Sequence, residues 1–244
     1  MDQALLIGDS PSGENDTGGP RGDSNLPCRG HLKKILNCKT SRVIPPQQEI
    51  FSQGEYPHTV CLICSGLVKL TRTESDGKRV IIGLRRAGWL LGGAALLMRR
   101  PYVATAETVH RSKVCFVPAE QLNQMMDTNA QFSQWISMIL SRDVYFTMLS
   151  ISEKCCFSGR QRLKKFLWEL VKTHDRFDRK GPIKIQMMLK NWEVAQLLSV
   201  SPQHLSRLLK QLENEGIIMR NKGWLILPEP KRLWRPEIVS HEFS

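Results

Sequence analysis

Between Asn191 and Asn214 two short helical runs are forced to fold back on one another by a three-residue turn, and few architectures accommodate that. Val194, Ala195, Leu197 and Leu198 fall on one side of a helix over Asn191–Ser199. Ser199-Val200-Ser201 breaks it. Ser201 is a good N-cap for the next helix, and Pro202 takes its first position, where a missing N–H costs nothing. That helix runs Pro202–Asn214 with Leu205, Leu208, Leu209 and Leu212 facing a core, and Glu215-Gly216 stops it. Two strands follow, Ile217–Arg220 and Trp224–Leu227, joined by Asn221-Lys222-Gly223. Two helices, a tight turn and a small hairpin make a winged helix-turn-helix.

The charge says what such a unit meets. Of the formal +12, the stretch Lys154 to Arg235 supplies nearly all: eighteen Lys or Arg against seven Asp or Glu, a surplus of eleven. A basic module beside a near-neutral one suits a polyanion. With the leucines turned inward, the second helix offers Gln203, Ser206, Arg207 and Lys210 outward. Gln203, Ser206 and Arg207 sit near its N-terminus, the end that enters a major groove, and their chemistry fits base edges: Arg pairs bidentately with guanine O6 and N7, Gln with adenine N6 and N7. Ser201, His204 and Lys210, with Lys222 in the wing, suit phosphates, which position without specifying. A helical hairpin in a protein-binding module is the rival, and the wing and the charge weigh against it.

Upstream, Arg42 to about Gln121 carries short β-branched or alternating runs, namely Thr59–Ile63, Leu67–Leu70, Val80–Leu84 and Val114–Val117, broken by turn residues that include Asp76-Gly77. Closely spaced short strands imply a small barrel or roll. From Asn129 to Lys154 there is no Gly or Pro, and Phe132, Trp135, Ile136, Ile139, Leu140, Val144, Met148 and Ile151 recur at helical steps. Apolar on most of its circumference, this helix needs burial by the roll and by something else; a second copy of itself is the economical candidate. Phe132, Ile136, Ile139, Met148 and Ile151 are its expected dimer residues. Arg160 to Lys172 makes a further amphipathic helix, followed by a polar loop (His174 to Gly181) and a short strand at Ile183–Ile185. His31–Asn37 reads as a short helix, and the first 26 residues are too polar and Gly-rich to order themselves.

The expected fold is therefore α+β: a disordered tail over 1–27, a β-roll over 28–124, a long dimerisation helix over 125–157, a winged helix-turn-helix over 158–235 and a tail over 236–244. No apolar run reaches membrane-spanning length and no signal pattern opens the chain. Seven irregularly spaced cysteines speak against a disulfide framework and for a reducing cytoplasm.

Over roughly Leu32 to Leu227 this order of elements resembles the CRP/FNR superfamily of transcription regulators. Glu193 to Lys210 is similar to the family's helix-turn-helix nearly throughout, and Phe51-Ser52-Gln53-Gly54-Glu55 and Leu62 to Leu70 are similar to its cyclic-nucleotide-binding-like β-roll. The resemblance implies that the long helix is the dimer interface, that the roll is the sensor, that the homodimer binds double-stranded DNA, and that an activator would contact RNA polymerase. It also exposes departures. Gln203 stands where the family commonly has Glu, Lys190 where a Thr or Ser caps the first helix, and Ser199 where the turn usually has Gly. In the effector pocket Gly92-Gly93 replaces the Gly-Glu that holds a ribose, and Tyr102-Val103 replaces the Arg-Ser ahead of Ala104-Thr105. A cyclic nucleotide would find its polar groups poorly paired there unless Arg99 or Arg100 reached in.

Cys115 matches one ligand position of the family's iron–sulfur branch, but only Cys28 and Cys38 precede the roll. Cys61 and Cys64, three apart in a strand, point to opposite faces and read as core. Cys155-Cys156 reads as buried small hydrophobes, with a subunit cross-link as the alternative, and His58 and His110 as structural rather than haem ligands. No cofactor or metal is assigned; an iron–sulfur cluster, thiol redox chemistry and a cyclic nucleotide stay as minor alternatives. Nothing at recognisable spacing suggests an enzyme. The remaining rival is a ligand- or redox-sensing roll whose DNA module is vestigial.

Overall fold

The computed structural model describes residues 41–172, 181–221 and 223–233. The expected tails, the helix over His31–Asn37, Cys28, Cys38, Lys222 and nearly all of the polar loop after residue 172 lie outside them. Eight strands form the N-terminal unit: β1 (Ser41–Ile44), β2 (Glu49–Phe51), β3 (Thr59–Ser65), β4 (Leu67–Thr73), β5 (Arg79–Arg86), β6 (Leu90–Leu91), β7 (Thr105–Thr108) and β8 (Ser112–Pro118). They pair into two four-stranded sheets, β1-β8-β3-β6 and β2-β7-β4-β5. The alternation of β3 decides the packing. Cys61 and Ile63 point between the sheets against Val68, Ala106 and Val114, while Val60 and Leu62 point outward under the helices. Cys64 joins that outer cluster, so the two cysteines do face opposite ways. Burial pushes the Cys61 thiol up to about 12, which leaves it inert as a thiolate.

The Asp76-Gly77 signal is the β4–β5 hairpin: Lys78 N donates to Asp76 Oδ1 at 2.9 Å, and Gly77 N to Glu74 O at 2.9 Å. A sharper constraint sits between β3 and β4. Gly66 has φ +95°, and a Cβ there would lie 2.6 Å from Ser112 Cα, a backbone atom that cannot step aside. Gly66→Ala should therefore destabilise the protein by about 3 kcal/mol or more, read as a fall in the thermal midpoint of roughly 10 °C. An unchanged midpoint would mean that the roll is not held this tightly at Ser112.

Three helices complete the unit: α1 (Gly93–Leu97), α2 (Ala119–Thr128) and α3 (Ala130–Cys156). Asn129 caps α3, its side chain accepting from Phe132 N at 3.0 Å. Over 27 residues α3 runs about 40 Å. Phe132, Trp135, Ile136 and Ile139 pack with Val60, Leu62, Val117 and Leu122. Three of the five residues expected at a dimer contact, Phe132, Ile136 and Ile139, are thus taken up by the chain's own roll. Arg142 and Phe146 still meet Gly88 and Trp89 of the roll, while Val144, Tyr145, Met148 and Ile151 stand exposed. Cys155 and Cys156 are free thiols and exposed as well, not buried as the sequence suggests: the last turn of α3 meets α4 through Glu153 and the Lys154 carbonyl, and neither cysteine lies in the core. Cys115 is buried and disulfide-bonded, which runs against the sequence reading of cysteines in a reducing setting.

The C-terminal unit comprises α4 (Gly159–Lys172), β9 (Ile183–Gln186), α5 (Asn191–Leu197), α6 (Pro202–Asn214), β10 (Met219–Asn221) and β11 (Trp224–Leu227), with sheet order β10-β11-β9. Leu163, Leu167, Leu205, Leu212, Ile218, Leu225 and Leu227 fill its core. β10 starts two residues later than the sequence suggests, since the N–H groups of Ile217 and Ile218 turn back to Leu212 O at 3.0 and 3.4 Å to close α6. Among the described residues no helix is long and apolar enough to cross a membrane.

Candidate nucleic-acid interface and effector pocket

α6 is built to show one edge. Ser201 Oγ accepts from His204 N at 3.1 Å, Pro202 follows, and the helix closes at Glu215 and Gly216, the latter at φ +67°. Leu205, Leu208, Leu209 and Leu212 are all buried. At about 100° per residue Gln203, Ser206, Arg207 and Lys210 gather on the opposite side, and all four are exposed. Ser206 Oγ donates to Pro202 O at 3.0 Å, which fixes the hydroxyl against the first turn while leaving its oxygen free to accept. The phosphate-type residues Ser201 and His204 are exposed at the same end; the His204 ring leans on the start of α4, its Nε2 lying 3.2 Å from where a Cβ on Gly159 would sit. At the far end Arg220 in β10 grips Glu213 with two bonds, Nε to Oε1 at 2.9 Å and Nη2 to Oε2 at 2.7 Å. That bond holds the Glu213 carboxyl below and the Arg220 guanidinium above their ordinary ranges, and ties the wing to the helix.

The turn is held from behind by a residue that sequence reasoning passed over. Ser199 adopts φ +51°, the left-handed conformation for which the family's usual Gly is suited. Arg162 in α4 supports it: Nε donates to Leu198 O at 2.8 Å and Nη2 to Ser199 O at 3.5 Å, while Nη1 reaches Lys154 O at 3.1 Å and also Phe157 O. One guanidinium thereby joins the end of α3 to the turn ahead of α6. The missing cap at Lys190 is likewise made good, because Glu193 Oε2 accepts from Lys190 N at 2.7 Å, the reciprocal half of a capping box. A Glu three residues into a helix is the signal that announces this.

Where the sequence places an effector pocket, Tyr102 is buried. Tyr102, 6% exposed, stacks on Phe51 at 3.9 Å and donates from its hydroxyl to Thr59 O at 2.8 Å. Its ring lies 2.7 Å from where a Cβ on Gly92 would be, so Gly92 is small because Tyr102 needs the room. Gly93 is buried against Leu90 and Leu140, Val103 points to solvent, Ala104 is buried, and Thr105 Oγ1 accepts from Gln53 N at 3.0 Å. Arg99 and Arg100 are exposed beyond α1. A ribose and a cyclic phosphate would meet the buried Tyr102 ring where the family has its Arg-Ser, and the charge beside Val103 is Arg72, whose Nη1 donates to Val103 O at 3.1 Å; the Gly92, Gly93 and Tyr102 set does not fit that ligand. Among the described residues no group of three or more His, Cys, Asp or Glu is placed to hold a metal ion. Burial lowers the pKa of His110.

The match to known proteins follows the same division. Residues 41–129 match the cyclic nucleotide-binding domain family, and residues 161–235 the Crp-like helix-turn-helix domain family. The chain belongs to the CRP/FNR family of transcription regulators. It is a regulator of DNA-binding type, not an enzyme. It is 21% identical over 221 residues to the anaerobic regulatory protein of Bacillus subtilis, covering 88% of this chain and 91% of that one. It is 24% identical over 192 residues to the fumarate and nitrate reduction regulatory protein of Vibrio cholerae, covering 77% and 73%. Among solved structures, FixK2 from Bradyrhizobium japonicum superposes with a TM-score of 0.66 at 19% identity, covering 80% of this chain and 94% of that one. The c-di-GMP responsive regulator CLP of Xanthomonas campestris gives the same score at 20% identity, covering 82% and 98%.

Proposed function

We propose that the chain is a cytoplasmic homodimer that recognises an inverted-repeat operator without a cyclic nucleotide, contacting RNA polymerase where it activates. Gln203, Ser206 and Arg207 read bases, and Ser201, His204 and Lys210, with Lys222 of the wing, hold phosphates. One observation carries the reading: four exposed polar side chains on α6 set directly against four buried leucines. An intact reading edge is what a vestigial DNA module would lack, and so it speaks against that rival. The exposed apolar face of α3 supports the homodimer. Selection of bound sequences from a random duplex pool tests the whole: the enriched site should be two inverted half-sites spaced by about one helical turn. Recovery of a single asymmetric site, or of no enriched site, would overturn it.

The Tyr102 plug supports the ligand half of the reading. Titration calorimetry with cyclic AMP, cyclic GMP and cyclic di-GMP should give no heat of binding and no change in operator affinity. Micromolar binding of any of them would show that Tyr102 swings out of the pocket.

A further inference from the structure

The described helix-turn-helix does not hang free of the roll. β5 is an edge strand, and its outward backbone groups need a partner. Gln196 of α5 supplies one: its Oε1 accepts from Ile81 N at 3.2 Å, and its Nε2 donates to Arg79 O at 3.1 Å. A carbonyl and the N–H two residues on are the pair that one residue of a neighbouring parallel strand would satisfy through its own N–H and C=O, so this single side-chain amide stands in for that residue. One turn back, Glu193 is 4% exposed, and its Oε1 meets Lys69 Nζ at 2.7 Å, which in turn meets Glu107 Oε1 at 2.9 Å. Burial alone would lower the pKa of Lys69, but the bonds and charges of Glu193 and Glu107 outweigh it and raise it, so the ammonium stays charged. Arg86 adds a bridge to Glu169 of α4 at 3.0 Å, and Leu67 and Val109 of the roll share the core of the C-terminal unit.

We infer that Gln196 and the Lys69–Glu193 pair are positioning residues: they lock the reading helix to the roll and thereby set the half-site spacing that the dimer accepts. The inference rests on the homodimer reading above. Two reading helices bind both half-sites only if their separation is held; a unit free to pivot near Phe157 loses that constraint, and the second half-site must then be found by search. The contacts are well suited to this role. The hydrogen bonds of Gln196 to β5 go to its backbone, so they fix orientation without regard to side chains, and a buried carboxylate such as Glu193 is costly to leave without its partner. None of these groups lies on the reading edge of α6.

The test uses the full chain and duplexes carrying the selected operator, with the half-sites moved apart by a single base pair and by half a helical turn, and a duplex with one half-site. Wild type should bind the natural spacing best and lose roughly tenfold or more on each change. Gln196→Ala should bind the natural spacing roughly tenfold more weakly, bind one half-site as wild type does, and show a flattened spacing profile. Glu193→Gln keeps an oxygen for Lys190 N while losing the charge that Lys69 needs, and should flatten the profile in the same way. So should Lys69→Met, which serves if Gln196→Ala fails to fold by circular dichroism. Variants that are dimeric and folded yet keep the wild-type spacing profile overturn the lock. Sedimentation of the same samples separates the two ideas: a monomeric wild type sinks the homodimer reading itself.

Discussion

Arg207→Ala should remove operator recognition and leave the weaker, salt-governed attraction to any duplex almost untouched. The side chain is exposed on the second turn of α6, and among the described residues it makes no ion pair, so nothing in the fold depends on it. Alanine is also the better helix former at that position, and the thermal midpoint should hold. What goes is a planar donor fork that matches guanine O6 and N7. Such a pair discriminates by about 1–3 kcal/mol, and an inverted repeat is read twice, so specific affinity should fall by roughly thirtyfold to ten-thousandfold. The basic surplus and the phosphate residues Ser201, His204 and Lys210 remain, so the slope of log affinity against log salt should barely change. Lys210→Ala should do the reverse, weakening all sequences alike and reducing the slope by about one per half-site. Fluorescence anisotropy on operator and scrambled duplexes across a salt series reads both. An Arg207→Ala protein that binds operator as tightly as wild type would mean that the bases are read elsewhere.

Much of this was legible in the chain because local chemistry and fold agree there. Ser201-Pro202 starts α6, Gly216 ends it, and leucines at three- and four-residue steps leave one possible inner face. The β3 cysteines were legible for the same reason, since a period of two fixes which face each side chain takes. What stayed hidden is what sequence distance hides. Gln196 meets backbone 115 residues away and Lys69 meets Glu193 across 124, and no periodicity announces a side-chain amide that caps a strand edge. Arg162 was equally silent, because its four acceptors are main-chain carbonyls, which every residue owns. At the expected effector pocket the absent Glu and Arg were visible, but not the burial of Tyr102, because that needs the stacking on Phe51 and the bond to Thr59 O. On α3 the period gave the apolar positions without saying which would be used by the roll.

That last division yields the other large effect: Ile151→Glu should dissociate the proposed dimer. Phe132, Ile136 and Ile139 are already buried, whereas Met148 and Ile151 stand 66% and 59% exposed in the single chain. With Val144 and Cys155 they step by four, three and four residues, the seam spacing of two helices packed lengthwise. About a twofold axis each seam residue lies close to its own copy, so one substitution acts twice. Each copy loses about 1.5–3 kcal/mol of apolar burial, and two carboxylates must lose water facing one another without a cation between them. Together these should raise the dissociation constant of the dimer at least a thousandfold. Ser150→Glu adds the same charge at an exposed position turned away from the seam and should leave the dimer intact. Sedimentation velocity at micromolar protein reads the outcome directly. Operator binding should then fall to that of one half-site, since the reading edge of α6 is unaltered while the link between two copies is gone. An Ile151→Glu protein that still sediments as a dimer would place the interface on another face, and the exposed stripe of α3 would need a different occupant.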